Sequence, residues 1–329
     1  MKKFLLPLFV CIHVFLLFNF KFTDWPEMLA YPYLLSRGFH FYGEIVHPYL
    51  PLLPYIILGM AYITGFSVLT LQLVTSFVII VSDILLWKIA REWFSEKSAI
   101  LTVIIYALIS LAFDINGLWF DVFLVPFLIS AWYLYWHYLR SNCTKFLYWS
   151  GFILGFSFLI KQTSVVYVVI IVAYELYRKT FKPAFFTTLI FTLPLLGVLV
   201  IFPFAEVWQW GIVFPLTAIG QMPGYIQYPT IRQLFIILIF LSPTLIWHNL
   251  RDSRIRLLGV WFIASLLFLF PRFDYFHLQP LIPFFTLGSM LVFTKIKKPT
   301  FMYLSAIVYL VIVGSWSIKR LSISFNQPP

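Results

Sequence analysis

The chain has 329 residues, of which 62% are hydrophobic, 21% aromatic and only 11% charged. A soluble domain carries about a quarter charged residues, so 23 Lys and Arg with 12 Asp and Glu are too few to hydrate a surface around 38 Phe. Soluble, disordered and disulfide-stapled classes are excluded, which leaves an all-α polytopic membrane protein, since open sheets strand unpaired backbone groups in hydrocarbon.

The apolar runs of helical length fall near residues 4–20, 67–90, 98–112, 122–139, 146–160, 163–177, 184–203, 233–248, 257–270, 278–294 and 300–317. They predict about eleven transmembrane helices in a single domain, 1–329. The first run follows Met1-Lys2-Lys3 and lacks a small-residue cleavage site, which reads as an uncleaved signal anchor. A twelfth run, Leu50 to Thr64, is short and holds Pro51 and Pro54, so it is expected to lie in the interface rather than to span. Segment 21–66 then forms an external first loop carrying interfacial helices.

The formal charge of +11 comes in small clusters between apolar runs and never lines one face, which argues against nucleic acid. With the N-terminus cytoplasmic, 16 of the 23 basic residues fall in loops on one side, and the positive-inside rule puts that side in the cytoplasm. A twelve-span arrangement with an external N-terminus keeps the same count, because Lys2 and Lys3 exchange sides with Lys21 and Arg37. The double-Lys start and the two prolines favour eleven. Seven of the twelve carboxylates (Asp24, Glu27, Glu44, Asp114, Asp121, Glu206, Asp274) then lie on the external face with Lys161, Arg272, His47 and His277. Ionisable groups at span ends mark function, so this is the chemical face.

Four constellations stand out there. Asp24, followed by Glu27, sits at the water–lipid boundary just after the first run, where partial desolvation suits a general base; an ordinary interfacial carboxylate has the same spacing. Lys161-Gln162-Thr163 places a cation with no acidic sequence neighbour between two apolar runs; it either binds an anion or snorkels to water. Arg272, Asp274 and His277 offer a guanidinium that could fork onto a phosphate or pair locally with Asp274. Asp114 and Asp121 flank a turn, and Asp121 is expected to cap the next helix. Asp83, in mid-run, must be paired or protonated, and a structural hydrogen bond is expected. Cys11 and Cys143 lie far apart and suit neither a disulfide nor a metal site. There is no Gly-rich phosphate loop, metal-ligand pattern or nucleophile elbow, so the expected cofactor set is empty, with a divalent metal left open.

An Asp just outside the first span, a Glu shortly after and a Tyr/Gly-rich stretch closing on His47-Pro48-Tyr49-Leu50-Pro51 resemble the first external loop of the glycosyltransferase C superfamily. The match is to the mannosyltransferase-like branch related to protein O-mannosyltransferases and aminoarabinose transferases, and Lys161-Gln162-Thr163 and Arg272 to Pro280 are similar to that branch as well. Many members carry an Asp-Glu pair where Trp25 follows Asp24 here, and many carry a soluble C-terminal domain. The resemblance implies an inverting transfer of sugar from a polyprenyl-phosphate donor to a lipid, glycan or protein hydroxyl on the external face of the cytoplasmic membrane. It implies Asp24 as general base, and substrate or donor-phosphate binding by Glu27, Glu44, His47, Lys161, Gln162, Arg272 and His277, the two cations supporting the leaving phosphate. A transporter or flippase of lipid-linked glycans is the rival reading, though it predicts an internal pseudo-repeat that the sequence lacks. A non-catalytic assembly factor is the third.

Overall fold

The computed structural model describes residues 5–19, 22–113, 116–242, 244, 252–295, 311 and 314–315. Most of the expected run at 300–317 lies outside them, as does Asp114. Fourteen α-helices cover the described chain, with three isolated β-bridges and no strand longer than that. In order they are α1 Leu5–Asn19, α2 Pro26–Ser36, α3 Leu52–Thr64, α4 Val68–Trp93, α5 Glu96–Ala112, α6 Phe120–Ser141 and α7 Thr144–Ile160. There follow α8 Val165–Tyr177, α9 Phe181–Ile201, α10 Phe204–Trp208, α11 Phe214–Thr217, α12 Ile231–Leu241, α13 Ser253–Ser265 and α14 Ile282–Lys295. Three of them, α4, α6 and α9, are long and apolar enough to cross a membrane by length and composition. α2 and α3 are the helices of the first loop. The short helices α10 and α11, joined by a π-turn at Gln209–Val213, occupy a stretch the apolar pattern leaves without a helix.

Local chemistry explains the boundaries. Ser95 caps α5 by accepting the Ser98 N–H, and Asp252 caps α13 by accepting that of Arg254. Thr230 and Gln233 close a capping box at α12. Asn142 ends α6 in the left-handed region, φ 53°, leaving a two-residue turn into α7. α7 lies close against α9. A Cβ on Gly151 would come within 3.0 Å of Thr187, and one on Gly155 would collide with the Phe191 carbonyl and the Pro194 ring. Glycines four apart on one helix face let two backbones touch, the small-residue packing expected where lipid supplies no hydrophobic drive.

The core is aromatic. Tyr167 stacks on Trp261 at 4.5 Å, Trp261 meets Phe284 at 5.6 Å, and the Tyr167 hydroxyl shares a 2.7 Å hydrogen bond with Ser265. The outside is apolar too: Phe77, Phe185 and Phe15 are each more than 60% exposed and Val200 is 88% exposed. Such a sheath suits hydrocarbon rather than water. Within it Asp83 is fully buried against His13, 2.9 Å away, which is the structural hydrogen bond expected of a mid-span carboxylate and which fastens α1 to α4.

Candidate functional site

The connecting segments at one end of the bundle are stitched together by specific bonds. Asp121 stands in the first turn of α6, two residues after its N-cap Trp119, and is completely buried. Lys161 leaves the end of α7 with an extended backbone, while its N–H still reaches the Ser157 carbonyl. His277 rides on a 3-10 turn, Tyr275–Leu278, whose start is capped by the Asp274 carboxylate accepting the Tyr275 N–H at 2.8 Å. The three meet: Lys161 Nζ donates to both Asp121 oxygens at 2.7 Å, and His277 Nδ1 lies 2.8 Å from Oδ2. Gln279 ties this turn to the end of α5, its amide donating to the carbonyls of Ser110 and Phe113 at 3.0 and 2.6 Å. Burial pulls the His277 imidazole below its usual range; Asp121 resists that fall and Lys161 adds to it.

Asp121 is therefore an ion-pair acceptor for two other segments and not the helix cap expected of it. An ion pair this dry recovers its desolvation cost only through such saturated geometry. Nothing local signals it, since Lys161 and His277 are 40 and 156 positions away.

Around the cluster lies a wall built from the first loop. Gln162 donates to the carbonyls of Pro48 at 3.0 Å and Gly211 at 2.6 Å, clamping that loop to the π-turn. The Tyr42 hydroxyl donates to the Tyr49 carbonyl at 2.8 Å. His47 is buried in an aromatic cage, stacked on Phe41 at 4.6 Å and edge-on to Tyr31 at 4.8 Å, with neither ring nitrogen bonded to a described residue. Burial drives its pKa down to about 3, so the ring is neutral. Burial also raises the Tyr49 hydroxyl, which feels the charges of both Asp121 and Arg272. The Tyr49 contribution is absent from the sequence-based set.

The other expected residues lie at the rim. Thr23 N–H reaches the Asn116 carbonyl at 2.8 Å, and Trp25 packs on Trp119 and Phe276 at 5.1 and 5.3 Å. Asp24, between them, is exposed and bordered by the neighbours of Asp121 and His277. Glu27 is exposed in the first turn of α2. Glu44 closes a turn by accepting the His40 N–H at 2.9 Å. Arg272 is exposed on a segment paired with Gln227, through Phe273 N–H to the Gln227 carbonyl at 2.8 Å. Thus Lys161 and His277 converge directly, Gln162 and His47 support the wall, and Asp24, Glu27, Glu44 and Arg272 are exposed outside the cluster. Among the described residues, no three His, Cys, Asp or Glu side chains converge as a metal site.

A helical bundle sheathed in apolar side chains, with a buried charge cluster at one end, is a multi-pass membrane protein. Residues 46–210, half of the chain, match the dolichyl-phosphate-mannose-protein mannosyltransferase family, and the chain belongs to that family. Its fold is similar to that of ArnT from Cupriavidus metallidurans in two crystal structures. With the undecaprenyl phosphate-bound form the TM-score is 0.64, and with the apo form 0.62. Identity is 13% in both, over 94% of this chain, which spans 62% of the length of those structures. No curated protein matches the chain in sequence. Family and fold together uphold the glycosyltransferase C resemblance.

Proposed function

We propose that the protein is a membrane glycosyltransferase that moves a sugar from a polyprenyl-phosphate donor to an acceptor hydroxyl, with inversion, on the non-cytoplasmic face of the cytoplasmic membrane. The acceptor is a lipid, glycan or protein. In this reading about eleven spans carry segment 21–66 outside as the catalytic loop. Asp24 takes the acceptor proton while the acceptor oxygen bonds the anomeric carbon and the bond to phosphate breaks. Lys161 and Arg272 neutralise the leaving phosphate, which then needs no acid. Glu27, Glu44, His47, Gln162 and His277 line or hold the substrate site. The observation that carries the reading is the pinning of the Asp24 loop beside the Lys161–Asp121–His277 cluster, through Thr23 on Asn116 and Trp25 on Trp119 and Phe276. An exposed carboxylate on a loop held against the neighbours of a buried cation supports that assignment, since displacement from a phosphate uses a base and a cation.

Asp24→Asn should lower transfer from an undecaprenyl-phosphate-linked sugar by about 10²- to 10⁴-fold, with expression and thermal stability unchanged; normal transfer by that variant removes the assignment. Arg272→Ala should weaken binding of undecaprenyl phosphate by about tenfold, read by titration of the purified protein. After Cys11 and Cys143, both exposed, are replaced, a cysteine introduced at 40–46 should react with an impermeant thiol reagent from outside intact cells. Reaction only from the cytoplasm excludes the eleven-span topology.

A further inference from the structure

The Asp121–Lys161–His277 cluster leaves two hydrogen-bonding valences open, and their identity follows from counting. A carboxylate only accepts, so the His277 Nδ1 that lies 2.8 Å from Asp121 Oδ2 carries a proton. Lys161 spends two N–H groups on the two Asp121 oxygens. Its ammonium also stands 3.3 Å from the same Nδ1, where it opposes a second proton on the ring. The charged groups facing His277 are thus Asp121 from α6, Lys161 from the end of α7 and Asp274 from its own turn. The imidazole is neutral with its proton on Nδ1, and Nε2 holds a lone pair. No described residue bonds Nε2, and the side chains of Lys161 and His277 remain 8% and 9% exposed while that of Asp121 is at 0%.

Left over are one N–H of an ammonium that also stands 5.2 Å from the Phe268 ring centroid and, across the width of an imidazole, one nitrogen lone pair. The diester phosphate of a polyprenyl-phosphate donor has only acceptor oxygens and satisfies the first alone. A phosphate-linked sugar satisfies both, with a phosphate oxygen for Lys161 and a hydroxyl hydrogen for His277. We infer that His277 is a sugar-reading residue that accepts a hydrogen bond from a hydroxyl of the phosphate-linked sugar, and that Asp121 is the positioning residue that fixes its tautomer. This inference rests on the transferase reading and narrows it: His277 contacts the sugar, Lys161 the phosphate.

Two experiments decide it. In the full chain in lipid, ¹⁵N-histidine NMR should show His277 neutral with Nδ1 protonated at pH 7, and Asp121→Asn should disturb that tautomer. An imidazolium or an Nε2–H tautomer in the unmodified protein overturns the inference whatever the transfer activity. With undecaprenyl-phosphate-linked mannose and its monodeoxy analogues, loss of one particular hydroxyl should raise KM about five- to tenfold with little change in kcat. The same deoxygenation should cost His277→Phe nothing further, and His277→Gln, whose amide oxygen accepts, should restore most of the discrimination. Sugar-free undecaprenyl phosphate should bind His277→Phe normally and Lys161→Ala weakly; equal weakening in both makes His277 a phosphate ligand and overturns the inference. Failure of the unmodified protein to use any phosphate-linked sugar sinks the transferase reading, while the NMR result still decides the tautomer.

Discussion

The two ends of the bundle handle charge in opposite ways. At the end that holds Asp121, one cluster of ionisable groups is buried and faces inward, and it joins segments far apart in sequence. At the other end the turns are short and the cations lie over aromatic rings: Arg91 on Trp87 and Arg140 on Trp136, both at 4.6 Å, and Arg254 on Trp93 at 5.3 Å. Of the acids there, Glu96 and Asp252 are answered by near sequence neighbours, while Glu92 and Glu175 also reach Tyr133 and Tyr138 on α6. Glu96 receives Arg91 at 2.8 Å, Asp252 receives Arg254 at 2.7 Å, and the buried Glu175 accepts from Tyr138 at 2.7 Å and Thr180 at 2.6 Å. Cation–π and surface ion pairs tolerate water and cost little to break. A dry ion pair tolerates neither water nor the loss of a partner. The contrast separates an end whose ion pairs can exchange with water from an end whose buried cluster cannot.

That contrast can be broken experimentally. Lys161→Ala strands a fully buried carboxylate and should cost about 3–5 kcal/mol, measured as thermal unfolding in detergent. Lys161→Met combined with Asp121→Asn should recover most of that stability without recovering transfer. A destabilisation by Lys161→Ala below about 1 kcal/mol would mean that Asp121 is hydrated and the ends alike. The next effect in size concerns His47. Its folded pKa of about 3 lies below the usual value of 6.5, so the unfolded chain binds the extra proton first. Stability should therefore be full above pH 6.5 and fall as the pH drops towards 3, by about 2 kcal/mol at pH 5. His47→Phe should flatten that slope, and an unchanged slope places the acid sensitivity elsewhere. Smallest of all, Arg140→Ala at the opposite end should cost less than about 1 kcal/mol and leave transfer unaltered.

How far each end could be read in advance follows the same division. α4, α6 and α9 are legible because long apolar runs have one stable answer in lipid. The Asp83 partner was expected by type, since a carboxylate at that depth must be paired, but the choice of His13, 70 positions away, is made by the packing of α1 on α4. Lys161 could be singled out for having no acidic neighbour in sequence. Asp121 could not, because a carboxylate in a first helical turn looks like a cap until topology brings α7 and the Tyr275–Leu278 turn against it. Glu44 carries a turn-closing bond that its motif does not signal, its carboxylate accepting the His40 N–H.

The contact of Gly151 and Gly155 with α9 also has a consequence in time. The glycine face of α7 is complete only when its partner exists, and Thr187 is synthesised about three dozen residues after Gly151. At ribosomal speed that is a wait on the order of seconds, during which the helix capped by Lys161 can pack on α6 but not yet on α9. Asp121 has already emerged by then, whereas His277 follows much later. The buried cluster is thus assembled in the order acid, cation, imidazole, so a chain arrested before α13 has Asp121 and Lys161 but not yet His277.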